Sequence, residues 1–334
     1  MYGHFDCIDP ELTFSYQLNR GKLFDNEKVA YINAIKCLQT KPSKTQHLYP
    51  GARSRYDDYG SFHPWHRMMV RSFESDLREL CGYTGAQPYW DWSLDADLGA
   101  HSFVDSPVFR VNTAFGGNGQ FVEPDSSSPK PQRTGRLFPD LQVPDTTGGG
   151  CVNGGPFANV TVNLGPGTSL THNPRCLTRD FAPDLAITTL NSTVVEWALS
   201  ASTFAEFDLR VQGSGTGLSD LKYATGGHFA LGGNTGDLGS IYSSPSDPLF
   251  YLHYANIDRL WDKWQRAKWE SRKGDISGPD AQFGYPWDFG GGEVSYRNVT
   301  LDYRLDFVEL LSQGRYVTVG EVMDTAALCY RYSE

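Results

Sequence analysis

Three stretches of the chain carry apolar residues at helical spacing. From Asp25, the positions Val29, Ile32, Ile35 and Leu38 recur every three or four residues after an Asp-Asn pair suited to an N-cap, and Lys41-Pro42-Ser43 closes the run. From His66, the positions Met69, Val70, Phe73, Leu77 and Leu80 follow the i, i+3, i+4, i+7 pattern, and Gly82 supplies a C-cap. A third helix is predicted to open at Asp247-Pro248, a cap followed by proline, and to carry Leu249, His253, Ile257, Leu260 and Trp264 on one face. Between Val111 and Asp180 no period is sustained, and Asp125-Ser-Ser-Ser-Pro and Thr146-Thr-Gly-Gly-Gly punctuate what reads as an ordered loop. Near the C-terminus, Val294 to Val299 and Arg315 to Val319 alternate as short strands do. The pattern predicts a mainly helical core, a few short strands and long surface loops.

Composition narrows the function classes. The 334 residues include 29 Lys and Arg against 39 Asp and Glu, a net charge of −10 that repels nucleic-acid phosphates and anionic lipid. No apolar run approaches the roughly 18 residues of a membrane span, and Met1 to Pro10 lacks a basic segment followed by an apolar one. Cys7, Cys37, Cys81, Cys151, Cys176 and Cys329 are even in number and contain no C-x-x-C pair, which fits disulfides. Proximity favours Cys151 with Cys176, bridging of the termini favours Cys7 with Cys329, and Cys37 with Cys81 remains, among 15 connectivities. With three glycosylation acceptor sequences at Asn159, Asn191 and Asn298, this places the chain in the secretory pathway or outside the cell.

The histidines carry the candidate chemistry. His66 aligns with Phe73 and Leu80, and His253 with Leu249, Ile257 and Leu260, while His63 precedes His66 by three residues and His228 lies in a Gly-rich turn. A lone histidine on an apolar face is usually a satisfied core residue. Several imidazoles converging from separate elements instead suit a borderline metal such as zinc or copper. His4, His47, His101 and His172 read as solvent-facing, with His47 in reserve as a ligand.

The segments FHPWHRMMVRSFESDLRELCGYTGAQPYWDW, GGHFALGG, SPSDPLFYLHYANIDRLWDKWQ and CYRY resemble fungal tyrosinases and catechol oxidases, the type 3 copper family related to hemocyanin. The resemblance runs from about Glu27 to the C-terminus. It implies a four-helix bundle around the metal site, and one catalytic domain over residues 1–334 that closes at its tyrosine motif without a C-terminal lid domain. It also implies six histidine ligands for two coppers, of which only two stand in place. His66 matches a ligand of the first copper, but the loop that should carry its two partners between Tyr56-Asp-Asp-Tyr and Phe62 is missing. At the second copper Ala224 stands for the first histidine, His228 matches the second, and Tyr254 replaces the third.

Even with His63 and His253 recruited, four candidates cannot make two three-histidine sites. The resemblance therefore implies one metal ion, zinc with copper as the alternative, held by His66, His228 and His253 and acting as a Lewis acid. His63 is then the candidate proton shuttle, and Tyr254 a proton donor or a filler of the vacated position. Glu74, Asp91, Asp258 and Arg259 would orient helices and histidines. Ile241 and Trp65 would shape a substrate pocket, with Tyr89, Trp90, Trp92 and Tyr242 as aromatic walls or core.

The resulting expectation is a non-oxidative enzyme on an aromatic secondary metabolite, similar to the fungal cyclopenases, which use zinc to contract cyclopenin to viridicatin with release of methyl isocyanate. A type 3 copper phenol or catechol oxidase and a metal-free, non-enzymatic homologue are the alternatives. The partner expected is a small aromatic substrate, with no nucleic acid and no membrane.

Overall fold

The computed structural model describes residues 13–14, 23–61, 66–123, 141–165, 169–213, 215, 217–240, 243–280, 297–307 and 316–332. It is helix-rich, as the apolar periods require. Helix α1 spans Asp25–Leu38 and buries Tyr31, Ile32, Ile35 and Leu38. Its start is fixed by Glu27, whose carboxylate accepts from the Phe24 backbone N–H at 2.7 Å, rather than by the Asp-Asn pair. Helix α2 spans His66–Cys81 and ends at Gly82, whose φ of 65° is the left-handed geometry expected of a C-cap glycine. A disulfide between Cys37 and Cys81 ties the C-terminal ends of these two helices. Short helices α3 (Ser93–Ala96) and α4 (Ala100–Val104) follow.

The third predicted helix is the buried axis of the molecule. It is preceded by four others: α5 (Pro183–Thr189), α6 (Ser192–Leu199), α7 (Phe204–Gln212) and α8 (Tyr223–Gly232). The axis itself, α9, spans Leu249–Ala267, and α10 (Trp269–Arg272) trails it. Asp247 performs the capping expected of it from just outside the helix. Its carboxylate accepts from the Leu249 N–H at 3.0 Å and pairs at two oxygens with the fully buried Arg179, at 2.7 and 2.9 Å.

The expected loop between Val111 and Asp180 is threaded with short strands where it is described. β2 (Gly119–Phe121) pairs antiparallel with β3 (Gly149–Val152), and β4 (Thr161–Val162) with β5 (Arg175–Cys176). The Cys151–Cys176 disulfide joins the two hairpins. Strand β1 (Thr13–Phe14) runs parallel to β8 (Arg331–Tyr332), and β6 (Arg304–Leu305) pairs with β7 (Val317–Thr318), within the predicted C-terminal alternation. Of the other predicted strand, 294–299, residues 294–296 lie outside the described residues, and the rest forms no strand: Asn298 makes an isolated bridge with Pro279. Cys329 is disulfide-bonded, and Cys7, its expected partner, also lies outside them.

His228 corrects the sequence reading. It lies within α8 rather than in a turn, and nearly every residue of that helix is buried. A helix buried all round shows no amphipathic period, so its signal is lost in the sequence. Its glycines serve close packing: a Cβ on Gly226 would sit 2.4 Å from the Thr189 hydroxyl, and one on Gly227 would sit 2.3 Å from Cε1 of His253.

Candidate active site

Helices α2, α8 and α9 bring His66, His228, His253 and Tyr254 together. The phenol of Tyr254 stacks on the His66 ring, with centroids 3.5 Å apart and planes 18° from parallel. Its hydroxyl lies 2.8 Å from Nε2 of His228, whose Nδ1 lies 2.7 Å from the Leu238 carbonyl oxygen. A carbonyl only accepts, so the proton of His228 resides on Nδ1 and its Nε2 lone pair accepts from the Tyr254 O–H. Burial holds His228 neutral, lowering its pKa to about 4, and raises that of the Tyr254 phenol.

His253 faces the other way. It is fully buried, its Nε2–H donates to the Ala224 carbonyl at 3.0 Å, and its ring meets Trp92 edge-on with centroids 5.1 Å apart. Its Nδ1 has no hydrogen-bond partner among the described residues. Burial, with His228 beside it, lowers its pKa to about 3.

One side of Tyr254 opens on a pocket of about 260 Å³ between α2, α7 and α9. His66 and Tyr254 are among its lining residues, Phe204, Phe207, Val211, Ile257 and Trp261 supply apolar wall, and Arg67, Asp208, Gln212 and Asp258 supply the polar lining. His228 is not part of the lining and stands behind Tyr254.

Arg67 and Asp258 are committed to each other. Asp258 accepts from Arg67 at 2.5 Å and from the hydroxyls of Tyr330 and Tyr332 at 2.5 Å each. Arg67 also donates to Gln265 and to the Val322 and Met323 carbonyls, and lies 3.8 Å over the Trp261 ring. Glu74 pairs with Arg78, which reaches the Gly85 carbonyl, and Asp91 pairs with Arg259 at 3.2 Å. Of these, Arg67–Asp258 ties α2 to α9, Asp91–Arg259 ties a loop to α9, and Glu74–Arg78 lies within α2, while the Leu238 and Ala224 carbonyls set the His228 and His253 rings. Sequence gives no signal for a backbone acceptor.

Tyr89, Trp90 and Trp92 are fully buried core residues, the two tryptophans stacked with centroids 3.9 Å apart. His47, His101 and His172 are exposed. His63, Trp65, Ile241, Tyr242 and His4 lie outside the described residues. Asp208 was missed by sequence reasoning, although a signal exists: it falls on the Phe204, Phe207, Val211 face of α7, where an acid interrupts an apolar stripe.

A helical core with paired histidine helices, locked by C-terminal tyrosines, defines a polyphenol-oxidase scaffold. Its likeness to solved structures agrees: it matches a variant of the polyphenol oxidase from Thermothelomyces thermophila with a TM-score of 0.77 and 33% identity, covering 97% of this chain and 89% of that one. Residues 28–267 match the common central domain of tyrosinase, and the chain belongs to the tyrosinase family. It is 31% identical to Tyrosinase P of Aspergillus terreus, over 81% of this chain and 80% of that protein. It is 32% identical to the N-acetyl-6-hydroxytryptophan oxidase of Emericella nidulans, over 93% and 90%.

The family normally binds copper. The described donor set fits neither a copper pair nor the expected zinc triad. The Nε2 lone pair of His228 is taken by a phenol, the Nε2 of His253 is spent on Ala224, and Ala224 has no donor side chain. Among the described residues no three His, Cys, Asp or Glu side chains are grouped to hold an ion. The zinc expectation thus finds no support in the geometry.

Proposed function

We propose that this chain is a non-oxidative enzyme acting on a small aromatic secondary metabolite, a lyase for the same reaction as the cyclopenases but one that works by proton transfer rather than through zinc. The observation that carries the reading is the Tyr254–His228 hydrogen bond, which turns a metal-ligand position into a proton relay. Tyr254 faces the pocket and His228 stands behind it. As the phenol oxygen takes a proton from bound substrate, its own proton passes to Nε2 of His228, and the Leu238 carbonyl steadies the imidazolium through Nδ1–H. Return of the proton by the same route restores the pair. The stacked His66 holds the phenol ring in place. The disulfides support a protein matured in an oxidising, secretory compartment.

The oxidase names of the relatives favour a second reading, a copper phenol or catechol oxidase. Metal analysis of the purified protein together with an oxygen electrode and a cyclopenin assay separates the two. The proposal predicts far less than one copper per chain, no oxygen uptake on catechol, and turnover of cyclopenin that Tyr254→Phe reduces by about 10²–10⁴. About two coppers per chain with oxygen uptake on catechol contradicts it. Neither oxygen uptake nor turnover contradicts it too, in favour of a non-enzymatic homologue.

A further inference from the structure

The fold treats the asparagines of the three glycosylation acceptor sequences, Asn159, Asn191 and Asn298, differently. A sugar needs a side-chain amide with an N–H to give up and open space around it. Asn191 offers neither. It is the N-cap of α6, its Oδ1 accepting from the Val194 N–H at 3.0 Å, and its Nδ2 donates to the Ile187 carbonyl at 2.8 Å and to that of Thr188 at 3.5 Å. Its amide hydrogens are thus turned onto the last turn of α5. Asn298 is exposed but holds a bridge: its Oδ1 accepts from the Gly278 N–H at 2.9 Å and its Nδ2 donates to the Val299 carbonyl at 3.3 Å.

Asn159 is the contrast. It is exposed, makes no side-chain hydrogen bond among the described residues, and sits at a φ of 63°, the left-handed region that Asn tolerates better than most residues. Thr161, which supplies the hydroxyl of the same acceptor sequence, is also exposed and free of side-chain hydrogen bonds among the described residues. The backbone beneath is anchored. Phe157 and Val162 are buried on either side, the Leu177 N–H donates to the Val160 carbonyl at 3.3 Å, and Thr161 pairs with Cys176 of the disulfide-bonded β5.

We propose that Asn159 is the residue through which the folded chain carries an N-linked glycan. Its Nδ2 bonds to C1 of the leading N-acetylhexosamine of a lipid-diphosphate-linked oligosaccharide. The C1–O bond to the diphosphate breaks, the lipid diphosphate departs, and one Nδ2 proton is released while the other stays. At Asn191 the single N–H left after such a transfer could serve only one of its two carbonyls, and the sugar would have to displace the end of α5. Transfer takes place on the chain as it enters the compartment, so the fold selects afterwards, keeping a glycan where native packing admits it. The inference rests on the reading of the chain as a secreted protein.

Its test is site-resolved occupancy. The full chain is secreted from a yeast behind a heterologous leader and treated, in heavy-oxygen water, with the amidase that converts each glycosylated Asn to Asp, so that peptide mass spectrometry scores all three positions. Occupancy is expected to fall in the order Asn159, Asn298, Asn191, with Asn159 modified in most molecules and Asn191 in almost none. Asn159→Gln and Thr161→Ala are each expected to abolish most of the gel-mobility shift that the amidase removes. Asn191→Gln is expected to leave that shift intact and to lower the urea midpoint through loss of the α6 cap. Any other order of occupancy overturns the proposal, as does a wild type without sugar at Asn159, and both are read on the wild type even if a variant fails to fold. Because the leader supplies the compartment, a native protein found to remain in the cytosol would overturn the secretory reading and leave the choice among the three asparagines standing, so the two failures are distinct.

Discussion

Two successive turns of α9 put buried polar groups to opposite uses. At Asp258 one carboxylate collects Arg67, Tyr330 and Tyr332, so α2, α9 and the C-terminal strand are pinned at a single node. One turn earlier, at His253 and Tyr254, an imidazole nitrogen has no partner among the described residues, a phenol–imidazole pair shares one proton, and a pocket opens alongside. The first arrangement is satisfied and has nothing left to offer a ligand. The second retains a lone pair, a movable proton and space. The frame can therefore persist while the chemistry at its centre changes, because the node that holds the helices together does not depend on the histidines.

Breaking the node should have the largest effect. Asp258→Ala leaves a buried guanidinium unpaired and two tyrosine hydroxyls without their acceptor, and should cost about 3–5 kcal/mol in urea denaturation. Gly227→Ala tests the packing of the other turn. The added methyl would meet the His253 ring, so a loss of about 1–3 kcal/mol is expected, and His253→Ala in the same chain should recover part of it. Tyr254→Phe removes the donor on a buried imidazole nitrogen and should cost about 1–2 kcal/mol, with most of the damage seen in turnover rather than in melting.

The effect that is smallest near neutral pH is a pH slope. His253 is held neutral down to about pH 3 in the folded chain, against 6.5 for a free imidazole. Between those values the unfolded state binds the extra proton, so acidification destabilises the fold. Relative to His253→Phe, the wild type should lose about 1.4 kcal/mol per pH unit as pH falls below 6.5. Chemical denaturation of both proteins at several pH values measures this difference, and parallel curves would contradict the buried neutral assignment.

The two turns also differ in how far the sequence reveals them. Helices α1, α2 and α9 are legible because each carries apolar residues at helical spacing between identifiable breaks. The stretch from α5 to α8 is not, since these helices are short and α8 is buried on all sides without a polar face to set a period. The residues of the site follow the same division. The family is legible in the motifs, and His66, His228 and Tyr254, which the structure brings together, stand at motif positions. The ring orientations are invisible, because they depend on the Leu238 and Ala224 carbonyls rather than on any side chain. Counting histidines makes a three-ligand metal site conceivable, whereas the direction of each ring decides which lone pairs remain. Asp208 escapes notice because a single acid on an apolar helix face looks like an ordinary exposed position until the pocket is seen.

In the structure the Nε2 of His228 accepts a hydrogen bond from the Tyr254 O–H, and in the proposed function it does so in place of ligating a metal. Long-range ¹H–¹⁵N spectra of the histidine rings, recorded with and without stoichiometric zinc or copper(I), observe that nitrogen directly. A neutral His228 protonated at Nδ1 is expected, with an Nε2 resonance that shifts in Tyr254→Phe and stays in place when either metal is added to the wild type. A metal-induced shift of the His228 Nε2 resonance in the wild type, with no response to loss of the Tyr254 hydroxyl, would contradict it.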